Sequence, residues 1–177
     1  MFAPVTRHSP HVTGRPAAAF TLIELLVVIA IIAILAGLGF GAVGGALKTA
    51  KKAEVRSMAN QIKLALTSYY SEYGTYPTVT VTDANFLSAM TGSSAVQNIP
   101  NRRGIRFLEV PPKFTNASGI VTPKGFDKER GQVNYNVVVD SDYNGKITLP
   151  GVGQEASGSI AVYVNEPSPS TNYIGTW

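Results

Sequence analysis

Cysteine is absent from the 177 residues, which excludes disulfides, thiol catalysis and thiolate-ligated metal. Histidine is nearly absent: His8 and His11 are the only two, so beyond residue 11 no imidazole is available for a catalytic triad or a metal site. Charge is sparse as well, at 15% of residues, and it is missing altogether from Leu25 to Leu47. The chain shows no internal repeat. Gly151-Val152-Gly153 reads as a loop, because no strand–helix unit surrounds it to make a nucleotide fingerprint. Asp140 and Asp142 are a conceivable acid–base pair, but two residues apart beside a turn they suit solvent or a cation better. No catalytic constellation emerges, and an enzyme is not expected.

The chain does carry a long apolar segment with one carboxylate at its edge. Residues 16–35 read PAAAFTLIELLVVIAIIAIL, and Glu24 is the only charge among them. The uncharged run Leu25–Leu47 is 23 residues long, enough to cross a bilayer core that needs about 20. A carboxylate in such a position is costly in hydrocarbon and implies a partner and a role. Arg7 and Arg15 precede the run and favour a cytoplasmic N-terminus, which places the remaining bulk outside the cytoplasm. An ordinary secretory signal has its small residues after a shorter apolar stretch. Here Ala17-Ala18-Ala19 precede it, so a cut at that point leaves the helix on the mature protein.

The junction Ala17-Ala18-Ala19-Phe20-Thr21-Leu22-Ile23-Glu24 resembles the processing site of type IV prepilins and type II secretion pseudopilins. The resemblance covers Ala19 to about Tyr76 and includes the stretch Tyr69–Thr78, which is similar to the helix exit of major pseudopilins. It implies cleavage between Ala19 and Phe20 by a prepilin peptidase that also methylates the new Phe20 amine. Ala19 stands where the family usually carries Gly. The resemblance further implies self-association into a helical filament in which Phe20 N⁺ of one subunit neutralises Glu24 of a neighbour. The other implied partners are an inner-membrane assembly platform, minor pseudopilins and inner-membrane lipid. The implied organisation is a leader (1–19), a transmembrane and filament-core helix (20–47) and a periplasmic globular domain (48–177).

Downstream, Val55, Met58, Ala59, Ile62, Leu66, Tyr69, Tyr70 and Tyr73 recur at three- and four-residue steps and predict an amphipathic helix ending at Gly74 and Pro77. Taken with the apolar run, the helix is expected to span Phe20–Tyr73, about 80 Å at 1.5 Å per residue. Gly37, Gly39, Gly41, Gly44 and Gly45 suit close packing in a membrane and local melting in a fibre. Asp83 is placed to cap a short helix, Ala84–Met90, that Gly92 ends. Ile105–Val110 reads as a docked segment between loops rich in Gly, Pro, Ser and Asn. Alternation over 133–139, with 146–149 and 159–165, predicts a three-stranded antiparallel sheet packed on the long helix. The expected fold is α+β and pilin-like. The Ser168–Ser170 and Ile174–Trp177 tail segments are left open between docking and fraying.

Asp140-Ser141-Asp142-Tyr143-Asn144-Gly145 places oxygen side chains at alternate positions before a glycine, as calcium loops do. Asp140, Asp142 and Asn144 are the candidate ligands. The twelfth position is Gly151, which excludes an EF-hand. The competing reading is a metal-free hairpin, since Asn144-Gly145 lies between two apolar runs. Within the resemblance, a Cys-free domain leans toward major pseudopilins, which often use bound calcium where many type IV pilins use a disulfide.

Lysine and arginine number 15 against 11 acids, a net charge of +4 that falls to +2 once Arg7 and Arg15 leave with the leader. The basic balance is therefore poor support for nucleic-acid binding, and none is expected. Lys48, Lys51, Lys52 and Arg56 cluster just past the apolar run and suit anionic headgroups, subunit contacts or a solvated helix face. The reading is a structural subunit of a type II secretion pseudopilus. The alternatives are a type IV pilus subunit for adhesion, motility or DNA uptake, and an uncleaved signal-anchored binding domain.

Overall fold

A computed structural model describes residues 20–93, 99–149, 153, 155–168 and 170–176, with the helical backbone alone described at 38–43. The expected leader, Ala19 included, lies outside the described residues, as do Gly151, Val152 and Trp177. The chain divides into two units after Val43.

Helix α1 runs Leu22–Tyr73, 52 residues, and contributes to both units. In the first unit every described side chain from Phe20 to Gly37 is exposed, among them Leu22, Ile29 and Leu35. Exposed apolar surface this extensive marks an interaction site. The helix is assigned without a break through Gly37–Gly45. A Cβ added to Gly37, Gly44 or Gly45 would meet nothing within 4 Å, so among the described residues no contact requires glycine there.

In the second unit α1 turns one face inward. Val55, Met58, Ala59, Ile62, Leu66 and Tyr69 are buried, and Tyr73 packs at the edge of the same core. Each large side chain so buried contributes about 1.5–3 kcal/mol, which far exceeds the helix propensity differences along α1. Gly74 ends the helix at φ +72°, a left-handed conformation that suits glycine, and its N–H reaches the Tyr70 carbonyl at 2.7 Å. Helix α2, Ala84–Met90, begins as expected: the Asp83 carboxylate accepts the Phe86 N–H at 2.8 Å. Phe86 and Met90 enter the core, and Gly92 stops α2 at φ +75°. Ile105–Val110 has no regular structure but is docked: Leu108 is buried, and the Phe107 and Leu108 amides both donate to the Met90 carbonyl.

Among the described residues seven short strands follow: β1 Thr115–Asn116, β2 Gly119–Ile120, β3 Asn136–Val139, β4 Lys146–Thr148, β5 Glu155–Ser157, β6 Ile160–Asn165 and β7 Tyr173–Gly175. β1 and β2 form a hairpin. The main sheet is antiparallel with order β3-β6-β7, pairing Val137 with Val162 and Val164 with Ile174. This corrects the expected third strand. Lys146–Thr148 pairs instead with β5 in a separate hairpin, and the third strand comes from the C-terminal tail. The reason lies in β6. Its residues Ile160–Val164 are all buried, so both faces need cover and both edges need partners. Val162 and Val164 face the α1 core. Ala161 and Tyr163 form a second apolar cluster with Ile147 and Leu149, which the β4–β5 hairpin brings across. β7 then pairs along the free edge, and the Thr176 hydroxyl accepts the Val162 N–H at 3.1 Å.

The α+β arrangement, an N-terminal helix packed on small antiparallel sheets, is the one expected from the sequence pattern, and it is consistent with a pilin-like fold.

Candidate functional site: the start of the apolar helix

The first turn of α1 is built by Thr21 and Glu24. The Glu24 carboxylate accepts the Thr21 backbone N–H at 2.8 Å and the Thr21 hydroxyl at 2.7 Å through the same oxygen, Oε2. The Thr21 Oγ1 in turn accepts the Glu24 N–H at 3.3 Å. The Thr21 carbonyl accepts from Leu25, which opens the helical ladder. This is a capping box, in which threonine and a glutamate three residues on satisfy each other's amide donors. The carboxylate also sits at the positive end of the helix dipole. Thr21 was not singled out from the sequence, although the Thr-x-x-Glu spacing was there to be read.

Glu24 is therefore not alone in the single chain. It shares a shallow, otherwise apolar face with Phe20, Ile23, Val27 and Val28. Phe20 is 78% exposed and available to a partner. Of the expected site residues at this end, Phe20 and Glu24 stand on one turn, and Ala19 lies outside the described residues.

The Asp140–Gly145 loop does not take the hairpin form, one of the two readings its sequence allowed: β3 before it pairs with β6, and β4 after it pairs with β5. Asp140 is buried, and its carboxylate accepts the amides of Asn144 at 3.2 Å and Gly145 at 2.7 Å. Asn144 donates to Asp142 Oδ2 at 2.7 Å and accepts the Lys146 N–H at 2.7 Å. Burial pushes the Asp140 carboxyl up, but the interaction with Asp142 and the loop amides together hold it below its ordinary range. Calcium takes six to eight oxygens. Here the three candidate side chains are turned onto the loop itself, and no group of three acidic, His or Cys side chains able to hold a metal occurs among the described residues. Tyr143 sits at φ +56° within this loop. Its ring lies 6.3 Å from those of Tyr70 and Tyr76, which stack on each other at 4.4 Å.

Among the described residues no helix is long and apolar enough to cross a membrane. Side chains there are described to Gly37 and again from Gly44, which interrupts the 23-residue uncharged run of the sequence.

Residues 14–40 match the family model of the prokaryotic N-terminal methylation motif. The chain thus carries the prepilin-type signal of type IV pilins and pseudopilins, and the capping box of α1 lies inside it. The match supports a pilin-like or pseudopilin subunit that is processed by a prepilin peptidase and assembles into a filament. Neither the curated proteins nor the solved structures compared with the chain gave a match.

Proposed function

We propose that this protein is a structural subunit of a type II secretion pseudopilus. In this reading it is held in the inner membrane by the helix that starts at Phe20, with residues 48–177 in the periplasm. Cleavage between Ala19 and Phe20 frees an amine, methylation keeps its charge, and the subunit then leaves the bilayer for a filament. The observation that carries the reading is Glu24, the one carboxylate in the exposed apolar segment Phe20–Gly37, inside the methylation motif. In a filament core the Phe20 amine of one subunit would meet Glu24 of a neighbour. A buried carboxylate without its partner costs about 3–5 kcal/mol, so the pair penalises wrong registers. Leu22, Ile23 and the residues from Leu25 to Leu35 supply the adhesion. The assembly platform and minor pseudopilins are the further partners of this reading.

Shearing cells that carry the Glu24→Ala variant tests it. The variant should enter the membrane normally and yield few or no sheared filaments. Normal filaments would refute the role given to Glu24. The type IV pilus alternative is separated by secretion: deletion should block export of a secreted protein and leave twitching and DNA uptake unchanged.

Calcium at Asp140, Asp142 and Asn144 is a separate proposal, motivated by the oxygen spacing of the loop. An ion there would have to replace the bonds from Asp140 to the Asn144 and Gly145 amides. Binding to the folded state alone must raise Tm by mass action. Millimolar calcium should raise the Tm of the wild type and not of Asp142→Ala. An unchanged wild-type Tm would remove calcium from the account.

A further inference from the structure

A cavity of about 520 Å³ opens where the uncharged run ends. One wall is the α1 turn carrying Leu47, Lys48, Lys51 and Lys52; the others are 125–129 and Pro167–Ser168. Hydrogen bonds tie these walls together. The Lys51 ammonium donates to the Gly125 carbonyl at 2.8 Å, and Lys52 pairs with Glu166 at 2.8 Å. Arg130 bonds both the Asp127 carboxylate and the Glu166 carbonyl, which joins the second wall to the third.

The charges of this cavity are unevenly matched. Asp127 faces it but is occupied by Arg130 and by the amides of Glu129 and Arg130. Lys52 is matched by Glu166. Among the described residues no carboxylate lies within ion-pair distance of Lys48, Lys51 or Lys128. Glu129, at the rim, and Glu166, which is paired with Lys52 and also feels Lys48, are the acidic groups set against three ammonium groups. Leu47, Phe126 and Pro167 give the same cavity an apolar side. Lysines on the outer side of a membrane segment also run against the usual bias of positive charge toward the cytoplasm.

We propose that this cavity holds the phosphodiester headgroup of an anionic phospholipid of the outer-facing leaflet while the subunit waits in the membrane. The inference rests on the membrane-anchored reading above. Lys48, Lys51 and Lys128 bind the phosphate, and Leu47 and Phe126 lie against the glycerol and the first acyl carbons. The occupant is a lipid because the cavity begins on the last residues of the apolar run, Gly44 and Leu47. Each lysine near an anionic surface contributes roughly a fivefold gain in binding. The bound headgroup fixes the depth of the domain at the membrane and must be released when the subunit moves into a filament.

The test uses the full chain in detergent micelles containing equal phosphatidylglycerol and phosphatidylcholine, with retained lipid read by native mass spectrometry. The wild type should keep phosphatidylglycerol at least tenfold over phosphatidylcholine. The Lys48→Gln/Lys51→Gln/Lys128→Gln variant should lose that preference. Because Lys51 also holds Gly125, the Lys48→Gln/Lys128→Gln variant serves as a second probe, with thermal unfolding showing that it remains folded. Equal retention of the two lipids by the wild type, or an undiminished preference in a folded variant, overturns the proposal. Glycerol 3-phosphate displacing phosphatidylglycerol at equal concentration would make this a free-phosphate site and overturn the lipid assignment. Failure of the filament reading shows itself separately, as an uncut N-terminus or absent filaments, whatever lipid is retained.

Discussion

Asn101 makes four side-chain hydrogen bonds in a loop that composition marks only as polar. It donates to the carbonyls of Ala89 and Ile105 and accepts from the Tyr73 hydroxyl and the Ile105 amide, and it is 3% exposed. Asn101→Ala should leave these groups unpaired and cost about 2 kcal/mol or more, read as a fall in the urea midpoint. Asp127 gives a pH dependence. The Arg130 amide foremost, then the Arg130 side chain and the Glu129 amide, hold its carboxyl down to about 2, from an ordinary value of 3.8. A carboxyl lowered in the folded state stabilises the protein fully above its ordinary value, and that stability is lost as pH falls toward 2. Thermal unfolding should therefore show Tm falling between about pH 4 and pH 2, and Asp127→Asn should flatten that part of the profile. Glu24 was legible in the sequence because a lone carboxylate in an apolar run stands out. Thr21 was signalled only by its three-residue spacing to Glu24, whereas Asn101 acts through geometry, and a hydrogen-bonding side chain in a polar loop gives no such contrast.

At the scale of elements, the helices could be read and the strand partners could not. Apolar spacing and the stop at Gly74 located the second half of α1, and Asp83 with Gly92 bounded α2, because those signals are local. Strand pairing is a choice among distant segments. The pattern of Lys146–Leu149 predicted a strand but could not say that it would cover the outer face of β6 rather than extend the sheet. The tail strand β7 was left open because three residues carry almost no periodicity. Gly119 shows how tightly the small elements meet. At φ +112°, an added Cβ would fall 2.2 Å from the Asp83 carbonyl carbon. Gly119→Ala should break the approach of β2 to the start of α2 and give little soluble, folded domain, as judged by circular dichroism. Gly37→Ala meets no atom within 4 Å and should strengthen the helix by about 1 kcal/mol. If the glycine stretch melts in the fibre, that variant should slow assembly; continuous helix through Gly37–Gly45 in a filament map would refute the melting.

The molecule as a whole pairs a unit with its own core and a helix segment without one. Residues 44–176 bury two apolar clusters, while Phe20–Gly37 leaves every described side chain exposed. That asymmetry, together with the match to the N-terminal methylation motif, is what a membrane-stored filament subunit requires. Processing as a prepilin comes down to one bond, the peptide between Ala19 and Phe20. Intact mass and N-terminal sequence of the protein recovered from membranes test it directly. The expected chain begins at N-methyl-Phe20. A chain that still carries Met1–Ala19, in cells with an active prepilin peptidase, would contradict it and make the protein an uncut membrane anchor.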